Sequence, residues 1–202
     1  MEDTRRWIFR DIHERDLPEV ISLHEELFPV KYSRKFYDSL LDKNSAGMVT
    51  IIMQDLFSET IAGVCTFRIQ STPNSFLKAR EGYIATFGIK TDFRRQGLGR
   101  NLLEFAIKEM EKVEEIYRVC LHVKTDNDAA IALYKSLGFM IKSRLYNHYM
   151  IDNEEHDAFE VEKIIVRERV DVSGSVWSLK SVFSSSRPVS QKPSDHGSCC
   201  LM

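Results

Sequence analysis

Phe93-Arg94-Arg95-Gln96-Gly97-Leu98-Gly99-Arg100 is the stretch on which the reading of this chain turns. The run before it, Tyr83-Ile84-Ala85-Thr86-Phe87-Gly88-Ile89, is short and apolar, the pattern of a buried strand. After it, Leu98, Leu102, Phe105, Ala106 and Met110 recur at helical spacing, with Asn101, Glu104, Lys108 and Glu111 on the opposite face. A strand, a turn rich in glycine and arginine, and a helix together suit a diphosphate. Glycine has no Cβ, so backbone N–H groups can approach phosphate oxygens, and the helix N-terminus adds partial positive charge. The stretch is not a P-loop, since no Gly-Lys-Ser/Thr follows, and it lacks the third glycine and later acid of the dinucleotide fingerprint. A helix-start turn with solvated arginines explains the same residues. Both readings stand at this point.

The 202 residues suffice for one core of about 150 to 170 residues and a tail. Basic and acidic residues number 28 and 30, a balance that argues against a nucleic-acid partner. The amino terminus carries mixed charge without the apolar stretch of a signal peptide, and no apolar run reaches the roughly 18 residues of a spanning helix. Cys65 and Cys120 fall inside apolar strand-like runs, where a thiol serves as a small hydrophobe. Nothing suggests disulfides, which points to a reducing, cytoplasmic compartment. No metal is expected.

Trp7 to Ile12 reads as a first strand. Asp16-Leu17-Pro18-Glu19 has the spacing of a capping box, opening a helix to about Leu27. Ser33 caps a second helix through Leu41. Met48 to Met53 and Ile61 to Ile69 read as strands, and Pro73-Asn74-Ser75 as a loop. Beyond the Arg-Gly turn and its helix to about Val113, Val119 to Val123 is another buried strand. Asp126-Asn127-Asp128 opens a helix through Tyr134, closed by Gly138. Phe139 to Arg144 and Phe159 to Val166 make a last strand pair joined by the loop Asp152 to Asp157. The fold class is α/β (α+β) with a mixed sheet. Residues 1–169 form the domain, and 170–202 a flexible Ser-rich tail.

These pieces resemble one known arrangement. Arg94-Arg95-Gln96-Gly97-Leu98-Gly99 is similar to the acetyl-CoA-binding loop of the GCN5-related acetyltransferases, Gln/Arg-x-x-Gly-x-Gly/Ala. Asn127-Asp128-Ala129-Ala130-Ile131-Ala132-Leu133-Tyr134-Lys135-Ser136-Leu137-Gly138-Phe139 resembles the second signature of that superfamily, and the likeness spans Trp7 to Val166. Phe28-Pro29-Val30-Lys31-Tyr32, Leu121-His122-Val123 and Tyr146-Asn147-His148-Tyr149 look like segments of N-terminal acetyltransferases of the NatE (San-like) and NatF types. Where the San-like pattern has two adjacent tyrosines, this chain has His148 and Tyr149.

The resemblance implies a mostly antiparallel twisted sheet with flanking helices, and acetyl-CoA as the donor. The Arg94, Arg95, Gln96, Gly97, Leu98, Gly99 and Arg100 loop would hold its pyrophosphate. Phe87 to Ile89 would bind the pantetheine arm through backbone N–H groups and polarise the thioester carbonyl. Asn127 would touch the arm, and the Tyr134 hydroxyl would protonate the leaving thiolate. For the base it selects Tyr83 and His122 acting through water, with a histidine near 6.5 suited to neutral pH. A hydrogen-bonded core histidine and a packing tyrosine are the alternatives. Buried thiols favour direct transfer over an acetyl-cysteine.

Phe28, Pro29 and Val30 would wall a pocket for a first methionine, with Tyr32 and Tyr149 on peptide backbone. The function implied is N-α-acetylation of Met-starting proteins or nascent chains. A lysine acetyltransferase and a non-catalytic module, the latter binding acetyl-CoA or a ribosome-associated acetyltransferase complex, remain as alternatives. Cys199-Cys200-Leu201-Met202 fits the C-a-a-X pattern, which predicts farnesylation of Cys199 unless the cysteine is a chance one. One prenyl chain attaches only marginally. A short interfacial helix over Val176, Trp177, Leu179, Lys180, Val182 and Phe183, with Arg187 and Lys192, would add the second signal and hold the protein peripherally on the cytoplasmic face of a membrane.

Overall fold

The computed structural model describes residues 6–41, 47–72 and 79–165, and the backbone of 168–170 and 176–178. Seven strands form one sheet: β1 (Trp7–Asp11), β2 (Met48–Asp55), β3 (Ile61–Ser71), β4 (Arg80–Ile89), β5 (Ile116–Lys124), β6 (Met140–Ile151) and β7 (Glu154–Ile164). Their order is β1-β2-β3-β4-β5-β7-β6. Every pairing is antiparallel except that of β4 with β5. Parallel neighbours need a crossover, and the helix α3 (Leu98–Glu111) supplies it. The other helices are α1 (Leu17–Leu27), α2 (Arg34–Leu41) and α4 (Asp128–Ser136). Among the described residues no helix is long and apolar enough to cross a membrane.

Two apolar layers sandwich the sheet. Leu98, Leu102, Leu103, Ala106 and Met110 of α3 pack with Ile84, Phe87, Val119 and Leu121 on one face, joined by Ile131 and Tyr134 of α4. Val20, Leu23 and Leu27 of α1 and Tyr37 and Leu40 of α2 cover Ile52, Val64, Tyr83 and Ala85 on the other. Strand β4 lies between the layers and is buried from Glu81 to Ile89, so it reads as a continuous run rather than an alternation. Its pairing with β3 slips between Thr66 and Phe67. That bulge puts Tyr83 and Ala85 toward α1 and α2, and Phe87 and Ile89 toward α3.

Local sequence sets most element ends. Ser33 Oγ accepts the Phe36 N–H at 3.3 Å, and Asn127 Oδ1 accepts the Ala130 N–H at 3.1 Å. Gly138 takes φ +84° after α4. The expected capping box at Asp16 does not form. Its carboxylate holds the Arg10 guanidinium at 2.6 Å and the His13 N–H at 2.7 Å, while Glu19 accepts the Ile61 N–H at 2.8 Å. Strands β6 and β7 are longer than expected and meet at a tight turn, where Asp152 and Asn153 take φ +51° and +65°. The expected loop from Asp152 to Asp157 is therefore mostly strand.

Two further strands, β8 (Glu168–Val170) and β9 (Val176–Ser178), pair antiparallel with each other. Val176–Ser178 is thus extended, not the first turn of an interfacial helix. Strand β8 runs across the expected domain boundary at residue 169. The rest of that helix, Arg187, Lys192 and the motif at Cys199 lie outside the described residues, as does the loop at Pro73.

Candidate active site

Strands β4 and β5 pair from Arg80↔Ile116 as far as Tyr83↔Cys120 and then part. Beyond that point β4 runs on beside β3 to Ile89↔Gly63, and β5 runs beside β7 to Lys124↔Ala158. The result is a V-shaped opening in the middle of the sheet, and two side chains stand at its apex. Tyr83 Oη and His122 Nδ1 are 3.2 Å apart and share a hydrogen bond, with ring centroids separated by 5.5 Å. When the ring donates from Nδ1, the phenolic oxygen and Nε2 both remain acceptors, and the pair can orient one water.

Burial, and secondly the neighbouring charge of His148, push His122 down to about 4, with Glu160 acting against them. His148 is also held below its usual value by burial. Its ring meets that of His122 edge-on at 4.5 Å and that of Tyr149 at 4.7 Å. This corrects the expectation of a base near neutrality. The His122 ring is neutral throughout the physiological range and is a weak proton acceptor.

At the wide end of the V, residues 94 to 97 are exposed and lead into α3. Gly97 takes φ +77° as the N-cap, no side chain caps the first turn, and a Cβ at Gly97 would meet nothing within 4 Å. The first intrahelical bond runs from the Asn101 N–H to the Gly97 carbonyl, so the N–H groups of Leu98, Gly99 and Arg100 precede it and suit a diphosphate in chemistry. The arginines are not equivalent. Arg94 Nε donates to the Ile89 carbonyl at 3.0 Å, tying the loop to the end of β4. Arg100 donates to Ser136 Oγ at 2.7 Å and Glu104 at 3.2 Å, so it joins α3 to α4. Arg95 is exposed at φ +63°, and Gln96 reaches the Asp92 carbonyl at 3.5 Å.

Tyr134 is buried on α4, 6.2 Å from Phe87 and 5.7 Å from Phe139 between ring centroids, which puts it on the β4 side of the opening. Asn127 has a structural task in capping α4. Burial pushes the Cys120 thiol up to about 12 and raises that of Cys65 as well.

The segment between α1 and α2 divides in two. Phe28, only 4% exposed, packs with Tyr32 around His24. Phe28 is thus a core residue. Val30 instead packs against the cluster of Tyr149, Ile151 and Ala158, bringing this segment to the β6–β7 hairpin, while Pro29 is exposed. His24 is 1% exposed, ringed by Phe28, Tyr32, Phe36 and Tyr37, and neither ring nitrogen has a hydrogen-bond partner among the described residues. Sequence reading passed over His24, and it missed Arg68, whose guanidinium lies over the Tyr83 ring at 5.0 Å. Neither has a local motif. The period-two pattern of β3 places Arg68 on a face but names no neighbour.

The family model described as "Acetyltransferase (GNAT) family" matches residues 9–139. The histone acetyltransferase MCC1 of Arabidopsis thaliana is 30% identical over 165 residues, 75% of this chain and 67% of that protein. Among solved structures, Arabidopsis thaliana NAA60 in complex with a bisubstrate analogue superposes with a TM-score of 0.72 at 26% identity, covering 79% of this chain and 99% of that one. Arabidopsis thaliana Naa50 in complex with the bisubstrate analogue CoA-Ac-MVNAL gives 0.65 at 27% identity, covering 78% and 98%.

Proposed function

The chain belongs to the GNAT acetyltransferase family, and we propose that it is a protein N-α-acetyltransferase acting on Met-starting chains. The observation that carries this reading is the Tyr83–His122 pair at the apex of the opened sheet. Bound acetyl-CoA supplies a thioester carbonyl as acyl donor. The Gly97 turn and the α3 N-terminus hold its diphosphate, and the free edge of β4 toward Ile89 receives its arm. Tyr83 and His122 orient a water on the acceptor amine, and Tyr134 holds a proton at Oη for the departing sulfur. Thiols raised as far as that of Cys120 carry no thiolate near neutrality, which supports direct transfer.

A weak base selects its substrate. An α-amine titrates near 7.8 and lysine near 10.4, so withdrawing a proton from lysine costs about 3.5 kcal/mol more. A His122 held to about 4 repays neither, and the acceptor must arrive neutral. Roughly a fifth of α-amines are neutral at pH 7.2, against less than about 0.1% of lysines. The Met-first peptide in the Naa50 complex, and the apolar contact of Val30 with the Tyr149 cluster, support a first methionine. Initial rates on matched peptides with free and acetyl-blocked N-termini test the reading. Turnover confined to the free form is expected, and equal rates on both make the enzyme a lysine acetyltransferase.

For location we propose the cytoplasm, with attachment to a membrane face through a farnesyl thioether at Cys199. Only the C-a-a-X pattern supports this, and it applies where Met202 is the carboxyl terminus. Mass spectrometry of the C-terminal peptide from eukaryotic cells, with Cys199→Ser as control, decides it. An unmodified peptide ends the proposal.

A further inference from the structure

The sheet face that carries Tyr83 and His122 also carries charge, and most of that charge is paired. Arg118 Nη2 is 2.6 Å from Glu81, and Lys142 Nζ is 2.9 Å from Glu160. Both cations also reach Glu162. Arg68 stands apart. It is half-buried and directly opposite Tyr83 in the β3–β4 register, with its guanidinium carbon 5.0 Å from the Tyr83 ring centroid. Its Nε donates to Gln70 Oε1 at 2.8 Å. Among the described residues no carboxylate lies within ion-pair distance of it; Glu81, Glu160 and Glu162 pair with Arg118 and Lys142, and Glu81 also accepts from Gln70.

We propose that Arg68 reads a carboxylate on the acceptor chain, so that the enzyme favours proteins with Asp or Glu at the second or third position. The inference rests on the N-terminal acetyltransferase reading and names the substrate class within it. The acceptor amine has to meet the Tyr83–His122 pair, and an extended chain advances about 3.5 Å per residue. A guanidinium stacked on Tyr83 is then within reach of the side chains of residues two and three. Guanidinium offers carboxylate a paired-donor geometry, and the attraction strengthens where water is partly excluded. Lysine or arginine at the same position meets repulsion. The same charge also disfavours an acceptor that arrives as ammonium, in keeping with a weakly basic His122.

The experiment uses two free-amine, Met-starting peptides that differ only in Glu or Lys at positions two and three. Calorimetry on CoA-loaded full-length protein measures binding, and initial rates with acetyl-CoA measure turnover. The wild type should bind the Glu peptide about tenfold more tightly, with the ratio shrinking as salt rises. Arg68→Gln should bring the ratio near one, and Arg68→Glu should invert it. Ratios taken within one variant cancel any general loss from a disturbed Tyr83. An unchanged ratio in Arg68→Glu, or a wild type that binds both peptides equally, overturns the proposal. Charge-dependent binding without acetylation of either peptide defeats the functional reading and leaves the role of Arg68 standing. Acetylation of both peptides at equal KM does the reverse.

Discussion

Tyr83 Oη lies 3.2 Å from His122 Nδ1, with Tyr83 at the last paired position of β4 and β5 and His122 two residues beyond it on β5, so the pair marks the point where the sheet opens. The parallel pairing that ends there joins two otherwise antiparallel halves. The same break in the ladder that exposes the β4 edge thus also fixes the two acceptors beside it.

The proposed sharing of one water by both groups makes their removal non-additive. Tyr83→Phe and His122→Ala should each lower kcat by about 10²-fold, and the double variant by little more than either single one. The acetyl-CoA dissociation constant should stay within about twofold. Stopped-flow turnover and calorimetry on the three variants check this, and near wild-type turnover in both singles removes the pair from the mechanism.

The pH profile should follow the substrate and not the histidine. His122 is neutral above about 4, so kcat/KM should rise with pH along the titration of the peptide amine, near 7.8, and show no break near 6.5. Peptides whose N-terminal amine is made less basic should move the limb down by the same amount. A limb that stays near 6.5 whatever the amine contradicts the neutral-acceptor account.

The open space at Gly97 separates binding from stability. Gly97→Glu puts a side chain where the protein has no neighbour within 4 Å, at a cost of about 1 to 2 kcal/mol for the left-handed backbone. Acetyl-CoA affinity should fall more than a hundredfold while the fold persists. Unchanged affinity in a folded variant removes the phosphate assignment.

His24 predicts a specific acid sensitivity. The unfolded imidazole binds a proton near 6.5, whereas burial holds the folded one down to about 4. Unfolding therefore takes up a proton between those values. Stability is whole above about 6.5 and falls as pH drops toward 4, by up to roughly 3 kcal/mol for this group. His24→Phe should lose that component. Denaturant titrations at pH 7.5 and 4.5 should show a smaller drop for the variant, and equal drops would mean that the folded ring titrates normally.

The elements around the site were legible wherever a pattern is local. The Tyr83 run, the helix after Gly97 and the caps at Ser33 and Asn127 follow from hydrophobic period and short-range chemistry. Strand β6 continues past the expected end at Arg144, through Tyr146-Asn147-His148, where Asn147 sits at φ +52° within a register slip. The start of β7 was missed because Glu154 to Asp157 carry no apolar alternation. The capping box failed because Arg10, on a different element, takes the Asp16 carboxylate. The lowered proton affinity of His122 depends on burial and on His148, 26 positions along the chain, and no local spacing encodes that. Arg68 is the same case, since its meaning lies in the strand register.

A single peptide with a free N-terminal methionine and one internal lysine puts the central claim to the test. After incubation with acetyl-CoA, fragmentation mass spectrometry locates the acetyl group on one amine or the other. Acetylation of the α-amine is expected in at least about a hundredfold excess over lysine, as the neutral fractions require, with that product lost in the Tyr83→Phe and His122→Ala variants. Acetyl on the lysine side chain with the N-terminus left free would contradict it.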